Sequence, residues 1–273
     1  MLIRGDLGFG TVARTPKLVC ALSALPLLVL TACGSGTQSS TSSSSDAPAG
    51  GKLTVFAAAS LQKTFTDIGE QFKTDEPGWS VDFTFAGSSD LVTQLTQGAK
   101  ADVFASADTK NMDKASQAGL VAGDPVNFAS NTLVIVTAPG NPKKVTSFAD
   151  LAKPDLSVVV CAPQVPCGSA TQKVEDATKV KLNPVSEESS VTDVLTKVTS
   201  GQADAGIVYV TDALGVGDKV TEVDFAESST AVNTYPIAVL KSAADAAAAK
   251  KFVDLVTSEA GQKVLVQAGF VKP

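Results

Sequence analysis

The chain contains no histidine. That absence excludes Ser-His and Cys-His nucleophilic catalysis, and every metal site built on imidazole. Aromatic residues make up only 5% of the chain, with two tyrosines and one tryptophan. This is too few for a sugar-stacking platform or an aromatic-rich protein-docking hot spot. Positive charge is also short, with 22 Lys and Arg against 28 Asp and Glu. Arg4, Arg14 and Lys17, against Asp6, precede residue 33, so loss of residues 1–32 takes the formal net charge from −6 to −8. A chain this acidic is not a nucleic-acid binder. Any anion it holds must be held by local donors against the overall field.

The N-terminus carries an export pattern. Arg4, Arg14 and Lys17 lead into an apolar run from Leu18 to Leu30, short for a membrane span and right for a signal core. The run ends Leu30-Thr31-Ala32-Cys33-Gly34, which resembles a bacterial lipobox, against the alternative of an ordinary secretory signal with Cys33 incidental. Residues 1–32 are therefore expected to be a lipoprotein signal peptide and Cys33 the lipidated first residue. Residues 33–51, rich in Ser and Gly, read as a flexible tether to the outer face of the cell membrane. Of the four cysteines, Cys20 leaves with the signal, and Cys161 and Cys167 remain, six apart. In an exported chain they read as a disulfide, with free thiols or a metal site as the alternatives.

The 222 residues from 52 to 273 can build one large domain or two lobes. Strands are predicted at 53–57, 80–85, 102–105, 131–137, 157–161, 204–208, 219–223 and 233–239. Helices are predicted at 60–74, 88–97, 109–117, 147–152, 168–179, 190–199, 243–256 and 258–267. This alternation implies an α/β fold with mostly parallel sheet. Two apolar strands, Asn131–Thr137 and Asn233–Leu240, read as crossings between lobes. Lobe 1 is expected at 52–132 plus 236–273 and lobe 2 at 133–235, with ligand bound between them.

Two turns carry the chemistry. Leu53-Thr54-Val55-Phe56 narrows to Ala57-Ala58-Ala59 and stops at Ser60, ahead of Leu61, Phe65, Ile68 and Phe72 at helical spacing. Val81–Phe85 then Ala86-Gly87-Ser88-Ser89 repeats the pattern before Leu91, Val92 and Leu95. A serine capping a helix is ordinary. Two small-residue turns aiming helix N-termini at one spot suit a small anion. A serine hydrolase is the competing class, but neither serine sits in Gly-x-Ser-x-Gly and no histidine exists to act as base. A surface interaction module on a lipid stalk is the other.

Val55-Phe56-Ala57-Ala58-Ala59-Ser60-Leu61, Phe85-Ala86-Gly87-Ser88-Ser89 and Gly98–Asp108 resemble the periplasmic molybdate-binding proteins of ABC importers. Val165-Pro166-Cys167-Gly168, Gly206-Ile207-Val208-Tyr209 and Tyr235–Val239 do so in the same order, and the match spans essentially all of 52–273. The resemblance implies a two-lobed binding protein of the second periplasmic type, and no enzyme. It implies molybdate or tungstate held by neutral donors, no cofactor, no metal apart from the oxyanion, and delivery to a membrane ABC permease by a monomer. Carried over by position, Ser60 and Ser88 donate hydroxyl and backbone N–H, Cys167 and Val191 donate backbone N–H, and Tyr209 donates its phenol. Sulfate is the alternative ligand. Asp90, in the first turn after Ser88, is expected to point away from the anion.

Overall fold

The computed structural model describes residues 50–273. The expected leader, Cys33 and the tether up to residue 49 lie outside the described residues. The chain begins β1 (Gly51–Ala58), α1 (Gln62–Asp75), β2 (Trp79–Ala86), α2 (Ser88–Thr96), β3 (Val103–Ala105), α3 (Thr109–Gln117) and β4 (Val126–Asn131). It continues through β5 (Leu133–Thr137), β6 (Val158–Cys161), α4 (Pro166–Thr178), β7 (Ser186–Glu188), α5 (Val191–Thr199), β8 (Ala205–Tyr209), α6 (Val210–Val216) and β9 (Thr221–Val223). It closes with β10 (Asn233–Val239), α7 (Ala246–Thr257) and α8 (Glu259–Gln267).

Two five-stranded sheets result, ordered β2-β1-β3-β10-β4 and β7-β6-β8-β5-β9. Both follow one plan. Three neighbouring strands run parallel, and the other two pair antiparallel beside them. The antiparallel pairs all involve β5 or β10, strands that begin where the chain passes from one lobe to the other. The predicted strand over 131–137 is in fact the last residue of β4 followed, after a break at Thr132, by β5 in the other sheet. Asn131 braces that break. Its side-chain oxygen accepts from the Thr132 amide at 3.0 Å, and its Nδ2 donates to Thr211 Oγ1 at 2.8 Å.

Alternation along β1 explains how the first sheet is covered on both faces. Leu53, Val55 and Ala57 enter the core formed with α1, α7 and α8, while Phe56 enters the opposite one with α2 and α3. Phe65 sits among Phe83, Phe128 and Phe252, with ring centroids 6.4, 5.8 and 5.9 Å away. Truncating so buried a ring to alanine costs about 3–5 kcal/mol. The second sheet has its own core, built largely of valine from β5, β6, β8 and α5.

Several short elements were not foreseen: β4 before Asn131, β7, α6, and 3-10 stretches at Gly217–Lys219 and Ala226–Ala231. β7 is a polar edge strand, Ser-Glu-Glu, without an apolar signal. α6 follows β8 with no turn residue between them.

Candidate functional site

All six parallel strands direct their C-terminal ends toward one cavity between the lobes, where open α/β sheets hold ligands. β1 runs into Ala59-Ser60, β2 into Gly87-Ser88, β3 into Ala107, β6 into Val165–Cys167, β7 into Val191, and β8 ends at Tyr209. These residues line one small cavity. The five residues singled out from the sequence, Ser60, Ser88, Cys167, Val191 and Tyr209, all lie on it, and Asp90 does not. No lining side chain is charged.

Backbone donors are supplied by helix starts. α2, α4 and α5 begin at Ser88, Pro166 and Val191, and first-turn N–H groups have no partner within their own helix. Pro166 has no N–H, so Cys167 is the first donating amide of α4. The positive ends of three helix dipoles thus meet at the cavity.

Neither serine caps its helix, which corrects the sequence expectation. After β1 a 3-10 turn, Ala59–Leu61, tightens the chain and α1 starts at Gln62 behind Leu61. Gly87 is the N-cap of α2, and Ser88 is already its first helical residue. The hydroxyls are therefore free for other partners. Ser60 Oγ lies 3.0 Å from the Tyr235 hydroxyl, and Ser88 Oγ accepts from the Ala107 amide at 3.0 Å.

The same polarity recurs at Tyr209. Its hydroxyl accepts from Asn233 Nδ2 at 3.0 Å, and its amide donates to the Asp212 carboxylate at 3.0 Å. One acceptor site of each hydroxyl is thus filled by the protein, and each hydroxyl keeps a proton to donate. Burial raises the Tyr209 phenol well above its ordinary pKa, and the charges of Tyr235, Asp108 and Asp212 add to this. Tyr235 is raised too, chiefly by burial. Both phenols stay protonated and both remain donors. Burial also lifts Asp212 to about 7 and raises Asp108 above its ordinary value.

One disulfide joins Cys161, the last residue of β6, to Cys167, with Cα atoms 5.7 Å apart. It spans the turn in which the Val165 amide donates to the Ala162 carbonyl at 2.9 Å. A Cβ on Gly168 would collide with the Ala162 carbonyl, so the loop beneath α4 is tightly packed. Among the described residues no group of three or more His, Cys, Asp or Glu could hold a metal ion, and no helix is long and apolar enough to cross a membrane.

Sequence reasoning missed Asn233. It bridges the lobes, donating to the Ala107 carbonyl at 2.7 Å as well as to Tyr209. Ser88, Ala107, Asn233 and Tyr209 form one hydrogen-bonded path across the cavity wall. A polar residue opening an apolar strand was the available signal, but only its burial gives that signal meaning.

Two lobes enclosing a small uncharged cavity lined with donors define a solute-binding protein. A model described as bacterial extracellular solute-binding protein matches residues 53–271, and the chain belongs to that family. The molybdate-binding protein ModA of Mycobacterium tuberculosis is 61% identical over 254 residues, covering 92% of this chain and 96% of that one. The solved periplasmic molybdate-binding protein of Azotobacter vinelandii superposes with a TM-score of 0.68 at 24% identity, over 81% of this chain and 99% of that one. The sulfate-binding protein SubI of M. tuberculosis superposes at 0.70 with 21% identity, over 81% and 86%. At such identities these two structures show the fold alone.

Proposed function

We propose that this protein captures molybdate, and tungstate with it, in the interlobe cavity and delivers it to an ABC importer in the membrane. It acts by binding rather than catalysis. Ser60 and Ser88 donate hydroxyl and amide protons, Cys167 and Val191 donate amide protons, and Tyr209 donates its phenol. The observation that carries this reading is an uncharged wall at which the starts of three helices meet, with one protein donor already occupying an acceptor site on each of Ser88 and Tyr209. A protonated anion such as hydrogen phosphate needs an acceptor for its proton, whereas a fully ionised tetrahedral dianion does not. The 61% identity to a molybdate-binding protein supports molybdate over sulfate as that dianion.

The energetics are adequate without a cationic side chain. About seven donors, each worth ~1.5–3 kcal/mol to a charged partner, sum to roughly 10–20 kcal/mol. Association costs several kcal/mol of this. The remainder allows a dissociation constant at or below about micromolar.

In the full reading, residues 1–32 are removed, Cys33 carries lipid, and residues 33–51 tether a monomer outside the membrane. Residues 52–132 with 233–273, since β10 pairs with β4 from Asn233 onward rather than from 236, and residues 133–232 then close on the anion as two lobes, hinging near the crossings. Equilibrium dialysis of the mature protein against molybdate, with metal analysis of both chambers, tests the capture step. About one molybdenum retained per chain is expected, and none retained would refute it.

A further inference from the structure

A close approach between the lobes occurs beside the cavity, at a glycine whose backbone does not need to be glycine. Gly87 has φ −58° and ψ 138°, a conformation open to any L-residue. Yet a Cβ built there would collide with the carbonyl oxygen of Ser189, across the cleft, and would sit 3.5 Å from Val165 Cγ1. Ser189 lies in a braced stretch. The carbonyl of Glu188 before it accepts from the Ala162 amide at 2.8 Å. Ser190 after it caps α5 through the Asp193 amide at 3.2 Å. The carbonyl therefore has little room to give way.

Gly87 immediately precedes Ser88, and Ser189 lies two residues before Val191. The contact thus joins the first turns of α2 and α5, whose amides face the cavity from opposite lobes. We infer that Gly87 sets how far the two lobes close: its missing side chain lets the Ser189 carbonyl reach the α2 turn, which brings the Ser88 and Val191 donors within reach of one anion. Gly87 is a positioning residue that need not touch the ligand itself. The inference rests on the oxyanion-binding function proposed above.

The test is Gly87→Ala, with Gly87→Val as the graded companion, in the mature protein. Three quantities are read: molybdate affinity by calorimetry, ligand-induced compaction by small-angle X-ray scattering, and thermal unfolding without ligand. Wild-type protein is expected to bind and compact. Gly87→Ala should lose about tenfold or more in affinity and Gly87→Val more still, with compaction reduced in the same order. Ligand-free unfolding should stay at the wild-type temperature, because the atoms a side chain at 87 would meet, the Ser189 carbonyl and Val165, belong to the opposite lobe and not its own. Equal affinity and equal compaction in wild type and Gly87→Ala would overturn this inference alone. A drop in ligand-free stability that accounts for the affinity loss would also overturn it, since the side chain would then be disturbing its own lobe. No molybdate binding by wild type would overturn the proposed function and this inference with it.

Discussion

Asn233 Nδ2 donates to the Tyr209 hydroxyl at 3.0 Å, from the first residue of a strand in one lobe to the last residue of a strand in the other. The bond occupies one acceptor site of the phenol and leaves its proton to donate. Tyr209→Phe removes that donor and leaves Asn233 bonded to the Ala107 carbonyl. A hydrogen bond to a charged ligand is worth ~1.5–3 kcal/mol, so molybdate affinity should fall roughly ten- to 150-fold by calorimetry. Asn233→Ala should weaken binding less and lower stability more, because the Ala107 carbonyl loses its side-chain donor.

The two serines should separate in their effects. Ser88 Oγ accepts from the buried Ala107 amide, so Ser88→Ala removes a ligand donor and leaves an N–H unpaired, at a cost of about 1–3 kcal/mol of folding stability. Ser60 is less buried and its hydroxyl meets only Tyr235. Ser60→Ala should lose affinity with a smaller stability change. Denaturant midpoints measured beside titrations of both variants check the contrast, and equal stability losses would contradict it.

Asp212 gives a pH signature. Burial lifts its carboxyl to about 7 from an ordinary 3.8. The folded protein therefore holds a proton there that the unfolded chain has released between about pH 4 and pH 7. The stability contributed by the neutral form is complete below about pH 4 and is lost as pH rises through about 7, amounting to up to about 4 kcal/mol. Asp212→Asn stays neutral and can still accept from the Tyr209 amide. The stability difference between variant and wild type should grow in the variant's favour from about pH 4 to pH 7 and level off above it. A difference independent of pH would show that Asp212 titrates normally.

The disulfide closes a short loop, so its entropic effect is modest. Loss of the Cys161–Cys167 link should cost about 2 kcal/mol of stability, read as a lower denaturant midpoint in the Cys161→Ala, Cys167→Ala double variant. The Cys167 amide survives that substitution, so one-to-one molybdate binding should persist. Abolished binding in a folded double variant would mean that the link, and not only the amide, holds the site.

Much of the fold was legible because each lobe repeats a strand, a small-residue turn and an amphipathic helix, all of which leave local patterns. Leu53–Phe56 and Val81–Phe85 read as strands, and Leu61, Phe65, Ile68 and Phe72 gave a helical stripe. The turns after Ala58 and Ala86 could be placed, but the serines' roles in them could not. Capping depends on backbone angles, and a 3-10 turn at Ala59–Leu61 moved the start of α1 past Ser60. The break at Thr132 was invisible because Asn131–Thr137 is continuously β-prone, and only partner choice assigns Asn131 to the end of β4 and Leu133–Thr137 to the other sheet. Asn233, Asp212 and Gly87 were illegible for one shared reason. Each matters through a neighbour distant in sequence: Tyr209 and Ala107 for Asn233, burial for Asp212, and Ser189 for Gly87.

The most direct test of the central claim is calorimetric titration of the mature protein with molybdate, with tungstate and sulfate run in parallel. The predicted result is saturable one-to-one binding of molybdate and tungstate, at or below about micromolar, with no heat from sulfate. Sulfate binding alone would keep the donor-lined cavity and contradict the ligand. No binding of any of the three by folded protein would contradict the account itself.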